Sequence, residues 1–124
     1  MIATRSGWIT DPMLVIDAVQ AALREALKIP EGDRTLRLIE HPASHFAVPP
    51  GRGEKFTLIE VTMFSGRSMG AKRLLYQAIV RNLAALGVPE LDIKITLIEA
   101  PPQNWGVRGG KPASEIDLGF RIDV

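Results

Sequence analysis

The sequence predicts an α+β fold in two layers, with tandem β-α-β units forming a four-stranded sheet that carries two helices on one face. Three observations predict it. The chain repeats itself at an offset of 59: Pro30, Glu31, Asp33, Leu38, Ile39, Glu40 and Pro42 return as Pro89, Glu90, Asp92, Leu97, Ile98, Glu99 and Pro101. Each copy holds a strand-like run, an amphipathic helical stretch and a second strand-like run. The link between the two strands of a copy has the length of a right-handed crossover, which makes those strands parallel. Residues 1–124 then form one domain, with repeats over about residues 1–42 and 56–101 and a C-terminal tail.

Residues 1–5 are too few to assign by periodicity, but their repeat partner, residues 56–64, is rich in β-branched and aromatic side chains and reads as a strand. Both strands end at a Ser-Gly pair, Ser6-Gly7 and Ser65-Gly66. Thr10-Asp11-Pro12 is a helix start, a capping oxygen followed by proline at the first helical position. Val15, Ala18, Val19, Ala22, Leu23, Ala26 and Leu27 then recur at spacings of three and four, with Asp17, Gln20, Arg24 and Glu25 on the other side. Pro30 and Gly32 stop that helix, and residues 34–41 form the next strand. Residues 41–54 hold several prolines and glycines and make a long loop between the copies. Ser68 caps the second helix, which carries Leu75, Ile79, Leu83 and Leu86 on one side. Gly87 and Pro89 end it, and residues 93–99 are a strand. The tail is rich in Gly and Pro, and residues 120–124 alternate like a short edge strand. The second face of the sheet has no third layer to cover it, which predicts a homo-oligomer.

Composition excludes several function classes. The net charge is +1 and the two signs are interspersed, so nothing points to nucleic acid or an anionic membrane. There is no cysteine, hence no thiolate metal site and no cysteine nucleophile. No apolar run approaches the roughly 20 residues that span a bilayer, and the first residues lack the apolar stretch of a signal peptide, so a cytoplasmic location is expected. His41, His45 and Glu40 lie near one strand end, but three well-oriented ligands are needed for a metal, and polar loop residues are the better reading. Gly51-Arg52-Gly53 and Arg108-Gly109-Gly110-Lys111 lack the following helix of a phosphate loop.

Three segments carry a resemblance. They are Gly66-Arg67-Ser68 with Lys72, Ile29-Pro30 with Asp33-Arg34, and Pro101-Pro102-Gln103-Asn104-Trp105-Gly106 with Gly109-Gly110. Together they resemble the tautomerase superfamily, the 4-oxalocrotonate tautomerase or MIF-like fold. The Asp33, Arg67 and Trp105 set looks most like its malonate semialdehyde decarboxylase branch. The resemblance implies a trimer of doubled units, no cofactor, and a small keto- or enol-carboxylate as substrate. It implies chemistry at an amino-terminal proline, which acts as a base in isomerising members and as an acid in decarboxylating and hydrating ones. It also implies Asp33 as a catalytic residue, and Arg67, Arg34, Asn104 and Trp105 as substrate-binding residues.

The chain departs from that pattern at its front. It begins Met1-Ile2, and aligning the strand-ending glycine on Gly7 puts the family's proline three residues before Met1. Two explanations are open: the protein lacks the proline and the amino group of Met1, an α-amine that ordinarily titrates near pH 8, is the base available in that region, or the true start lies upstream of Met1. The branch also has a second arginine two residues before Arg67, where this chain has Ser65.

The residues themselves leave alternatives. Arg67 sits at a helix start, where its charge opposes the helix dipole, and its repeat partner is Trp8, which marks it for a function of one copy alone. Asp33 has a counterpart in Asp92, and an aspartate in such a turn also caps backbone amides. Trp105 either walls a pocket or pins the tail to the body. Asn104 either offers its amide to a substrate or closes its turn. Two classes of function follow. One is an enzyme that transfers a proton in a keto–enol carboxylate, or decarboxylates or hydrates a 3-oxo acid. The other is a catalytically silent homologue, a trimeric scaffold or ligand-binding protein.

Overall fold

The computed structural model describes all 124 residues, Met1–Val124. Strand β1 (Ile2–Arg5) leads through Gly7 to helix α1 (Pro12–Leu27) and strand β2 (Leu38–His41). Strand β3 (Thr57–Phe64) leads through Gly66 to helix α2 (Met69–Ala84) and strand β4 (Ile93–Ala100). The sheet runs β2-β1-β3-β4. The outer pairs are parallel and the central pair, β1 against β3, is antiparallel. The tail adds a two-stranded ribbon, β5 (Gly106–Val107) and β6 (Lys111–Pro112).

Local chemistry sets the boundaries. The Asp11 carboxylate accepts from the Met13 amide at 3.0 Å, with Pro12 in the first helical turn. The Ser68 hydroxyl accepts from the Ala71 amide at 3.1 Å. Lys28 ends α1 in the left-handed conformation, its amide on the Arg24 carbonyl. Gly7 and Gly66 turn the chain at φ 115° and 121°, a conformation open to glycine but not to most residues.

The strands keep the offset of 59, since Arg5 and Phe64 end β1 and β3, and His41 and Ala100 end β2 and β4. The helices are offset by 57, from Pro12 to Met69 and from Leu27 to Ala84. The first copy has two more residues before its helix, where Trp8 and Ile9 pack on the core. The second has two more after its helix, where the chain turns at Gly87. Leu86 lies in that turn, beyond α2, and still packs on the core.

The core lies between the helices and one sheet face. Val15, Val19, Ala22, Leu75, Ala78, Ile79 and Leu83 meet Ile2, Ile59 and Met63 there. Each fully buried Leu or Ile stabilises the fold by about 1.5–3 kcal/mol. Gln20, expected on the polar side of α1, is instead 4% exposed. The 3.6-residue period puts position 20 beside Val19 and Leu23, at the margin of the apolar face.

Two strand expectations are corrected. Residues 34–37 are not strand, because β1 supplies partners only from Ile2, which pairs with Leu38. The last link is the Ile2 amide on the Arg37 carbonyl, 2.9 Å. Residues 120–124 form no strand either. No strand lies alongside, and the Val124 carbonyl accepts from the Ser68 hydroxyl at 2.7 Å instead. The second sheet face is covered in part: Phe46 of the long loop and Phe56, directly before β3, pack on Ala3, with Met1, Val48 and Leu58 around them. Ile39 and Ile98 stay 37% and 46% exposed on the rest of it. No helix is long and apolar enough to cross a membrane.

Candidate active site

A cavity of about 610 Å³ opens at the head of β1. One wall is β3, from which residues 59–64 all contribute. Alternate side chains of a strand point to opposite faces, so an unbroken run marks an uncovered strand edge. The facing wall is the segment before β2, with Asp33, Thr35 and Leu36. Val19, Gln20 and Leu23 of α1 form the floor, and Trp105, Arg108, Leu118 and Phe120 of the tail close one end.

Arg67 lines this cavity and is 7% exposed. Gly66 turns the chain sharply out of β3, so the next side chain folds back under the strand end, and Nη1 donates to the Phe64 carbonyl at 3.1 Å. Its Nε is buried without a hydrogen-bond partner. Burial lowers the pKa of this guanidinium from its ordinary value, and the negative charges of Asp33 and Glu99 partly offset that. Glu99 is itself paired to Lys72 at 2.9 Å. The second buried polar atom without a partner is Gln20 Oε1. Gln20 Nε2 donates to the Asp33 carbonyl at 3.2 Å, which leaves that oxygen free. Both unpartnered atoms thus belong to residues of one cavity, a donor from Arg67 and an acceptor from Gln20. Unmet buried polar groups are costly and rare, and here they offer complementary bonds to a bound polar molecule.

The Met1 amino group donates to the Glu60 carbonyl at 2.6 Å, and the Glu60 amide donates to the Met1 carbonyl at 2.8 Å. Its pKa lies below the ordinary α-amine value. Burial is the largest cause and Arg37 the next, with Glu60 opposing them.

The structure brings together Met1, Asp33, Arg67 and Trp105 of the sequence-derived set. The Trp105 ring lies 4.7 Å from the Phe64 ring, and its indole N–H donates to the Ala100 carbonyl at 3.1 Å. It therefore both walls the cavity and pins the tail. Arg34 and Asn104 are not among the lining residues. Arg34 pairs with Asp17 of α1, because residue 34 stays outside the sheet and reaches back to the helix. The Asn104 amide closes a turn on the Pro101 carbonyl at 2.9 Å, and its side chain is exposed. Asp33 and Asp92, equivalent in the repeat, have diverged. Asp92 is buried and accepts from the Gly53 amide at 3.2 Å, whereas the Asp33 side chain is exposed at the cavity wall.

Sequence reasoning missed Gln20, Thr35, Arg108 and Phe120. A polar residue at the margin of an apolar helix face was the available signal for Gln20. Arg108 and Phe120 come from the irregular tail, where periodicity carries no information.

The tautomerase enzyme family matches residues 33–108, more than half of the chain. A probable tautomerase of Ralstonia nicotianae is 38% identical over 53 residues, covering 42% of this chain and 76% of that protein. A solved malonate semialdehyde decarboxylase inhibited by 3-bromopropiolate is 29% identical, with a TM-score of 0.79 over 90% of this chain and 89% of that one. A fused 4-OT symmetric trimer is similar in fold, at 23% identity and a TM-score of 0.80, over 91% of this chain and 94% of that one. The chain belongs to the tautomerase family.

Proposed function

We propose that this protein moves a proton between carbon and oxygen of a small keto–enol carboxylate, without a bound cofactor. The observation that carries the reading is the pairing of unmet groups in one apolar cavity, a buried guanidinium at Arg67 and an acceptor at Gln20. Arg67 holds the substrate carboxylate by charge-assisted hydrogen bonds. Gln20 Oε1 accepts from the enol hydroxyl. The amine at the head of β1 takes the proton from carbon and delivers it to the substrate oxygen, and burial, with Arg37, lowers its pKa from the ordinary α-amine value, which favours the unprotonated base. Asp33 stands at the wall to orient the reacting group, and Trp105 excludes water. Decarboxylation or hydration of a 3-oxo acid is the second reading, favoured by the likeness to the solved decarboxylase.

We place this chemistry in a homotrimer in the cytoplasm. The name of the fused 4-OT trimer and the exposed Ile39 and Ile98 support the assembly. Phenylenolpyruvate tests the activity, its ketonisation being followed by ultraviolet absorbance. Turnover above buffer that is lost in Arg67→Met supports the reading; turnover untouched by Arg67→Met removes it. Light scattering after size exclusion tests the trimer.

A further inference from the structure

We propose that Lys72 is a positioning residue for Arg67: it holds the Glu99 carboxylate away from the buried guanidinium, so that the guanidinium stays open to the cavity. This rests on the reading above that Arg67 binds the substrate carboxylate.

The fold places a competitor for that substrate beside Arg67. Alternate residues of β4 face the helices, and Ile93, Ile95 and Leu97 pack on the core there. Glu99 continues the same alternation, so its carboxylate points to the helix side at the end of the strand. Glu99 is in register with Met63, one residue before Phe64, whose carbonyl accepts from Arg67. Glu99 therefore stands on the neighbouring strand, and its negative charge reaches the guanidinium. A planar guanidinium favours a carboxylate over a single carbonyl. Arg67 nonetheless bonds only the Phe64 carbonyl and leaves its Nε without a partner.

Lys72 takes the carboxylate instead. Its ammonium lies 2.9 Å from Glu99 Oε1. The helix cap sets its position: the Ser68 hydroxyl starts α2, and the Lys72 amide donates to the Ser68 carbonyl at 3.1 Å, one turn in. The two side chains are only 24% and 33% exposed, so the pair is screened less than one on the open surface. Neither Lys72 nor Glu99 lines the cavity, so their effect on a bound molecule passes through Arg67.

The internal repeat supplies a control. Glu40 and Glu99 hold the same place, each next to last in its strand. Trp8 takes the place of Arg67, and the helix offset of 57 puts Val15 in the place of Lys72. Val15 is buried in the core, and Glu40 is exposed and makes no ion pair. The glutamate is common to both copies, whereas the lysine stands only where the arginine does. A lysine that served merely to tie the strand end to the helix would be needed in both copies alike.

The test measures ketonisation of phenylenolpyruvate in Lys72→Met and in Lys72→Met/Glu99→Gln, and follows the Arg67 Nε–H resonance in each by nitrogen-15 NMR. Released from Lys72, Glu99 competes for the guanidinium, and apparent affinity falls with the fraction of Arg67 left open. KM then rises about fivefold or more while kcat stays within about twofold. Glu99→Gln in the same chain removes the competitor and returns KM to within about twofold of the parent. Lys72→Arg keeps the ion pair and leaves KM unchanged. The Arg67 Nε–H signal shifts downfield in Lys72→Met and returns in the double variant. An unchanged KM in Lys72→Met overturns the proposal. A double variant as impaired as the single one also overturns it, because loss of the ion pair itself would then be the cause. An Arg67 signal that stays in place in Lys72→Met overturns it too, even where there is no turnover. A signal that shifts and returns while no chain turns over phenylenolpyruvate keeps the positioning role and counts against the proton-transfer reading.

Discussion

Replacing Arg67 with methionine separates a binding arginine from a structural one. The guanidinium is buried, with one bond to the Phe64 carbonyl and its Nε unpartnered. Its lowered pKa says that the fold holds this charge at a cost. Methionine keeps most of the volume and removes the charge. The loss is one hydrogen bond of about 1 kcal/mol, offset by relief of the desolvated cation. Stability should therefore change by no more than about 1 kcal/mol. A hydrogen bond from a charged group to a substrate carboxylate contributes about 1.5–3 kcal/mol, so kcat/KM should fall by roughly 10- to 150-fold. The assays are urea unfolding and ketonisation of phenylenolpyruvate. A loss of about 3 kcal/mol of stability with unchanged kcat/KM would refute the reasoning and make Arg67 a pillar of the fold.

Four other outcomes are expected. Leu75→Ala empties a site that is 0% exposed and costs about 2–5 kcal/mol, read by urea unfolding. Ser68→Ala removes the α2 cap and the bond to Val124, costs about 1 kcal/mol, and speeds amide exchange in the first turn of α2. With Met1 first in the chain, its amine titrates below about pH 8 in a nitrogen-15 NMR titration, and Arg37→Gln moves it part of the way back. A depressed amine binds its proton less readily when folded than when unfolded. Stability therefore rises with pH between the lowered pKa and about 8 and is flat above, as pH-dependent unfolding will show.

The fold was legible because its signals are local and doubled. Asp11-Pro12 and Ser68 start helices by hydrogen bonds to their own neighbours, and Gly7 and Gly66 turn in the same way. The failures lie where structure depends on distant partners. Residues 34–37 have the composition of a strand but meet no strand residues before Ile2. Residues 120–124 alternate but have no edge beside them. At the site, Arg67 stood out because its repeat partner is Trp8. That ring is spent on structure, its N–H donating to the Thr4 hydroxyl at 3.0 Å. Arg34 lies off the cavity because it pairs with Asp17, about two turns of α1 before Arg24, a contact that sequence spacing does not show. Gln20 was overlooked because burial of one polar side chain is decided by what faces it across the core.

Deuterium incorporation at carbon 3 of phenylpyruvate in heavy water, with EDTA present, tests the central claim most directly. Cofactor-free proton transfer predicts exchange well above the buffer rate, and loss of it in Arg67→Met. Exchange at the buffer rate would contradict it.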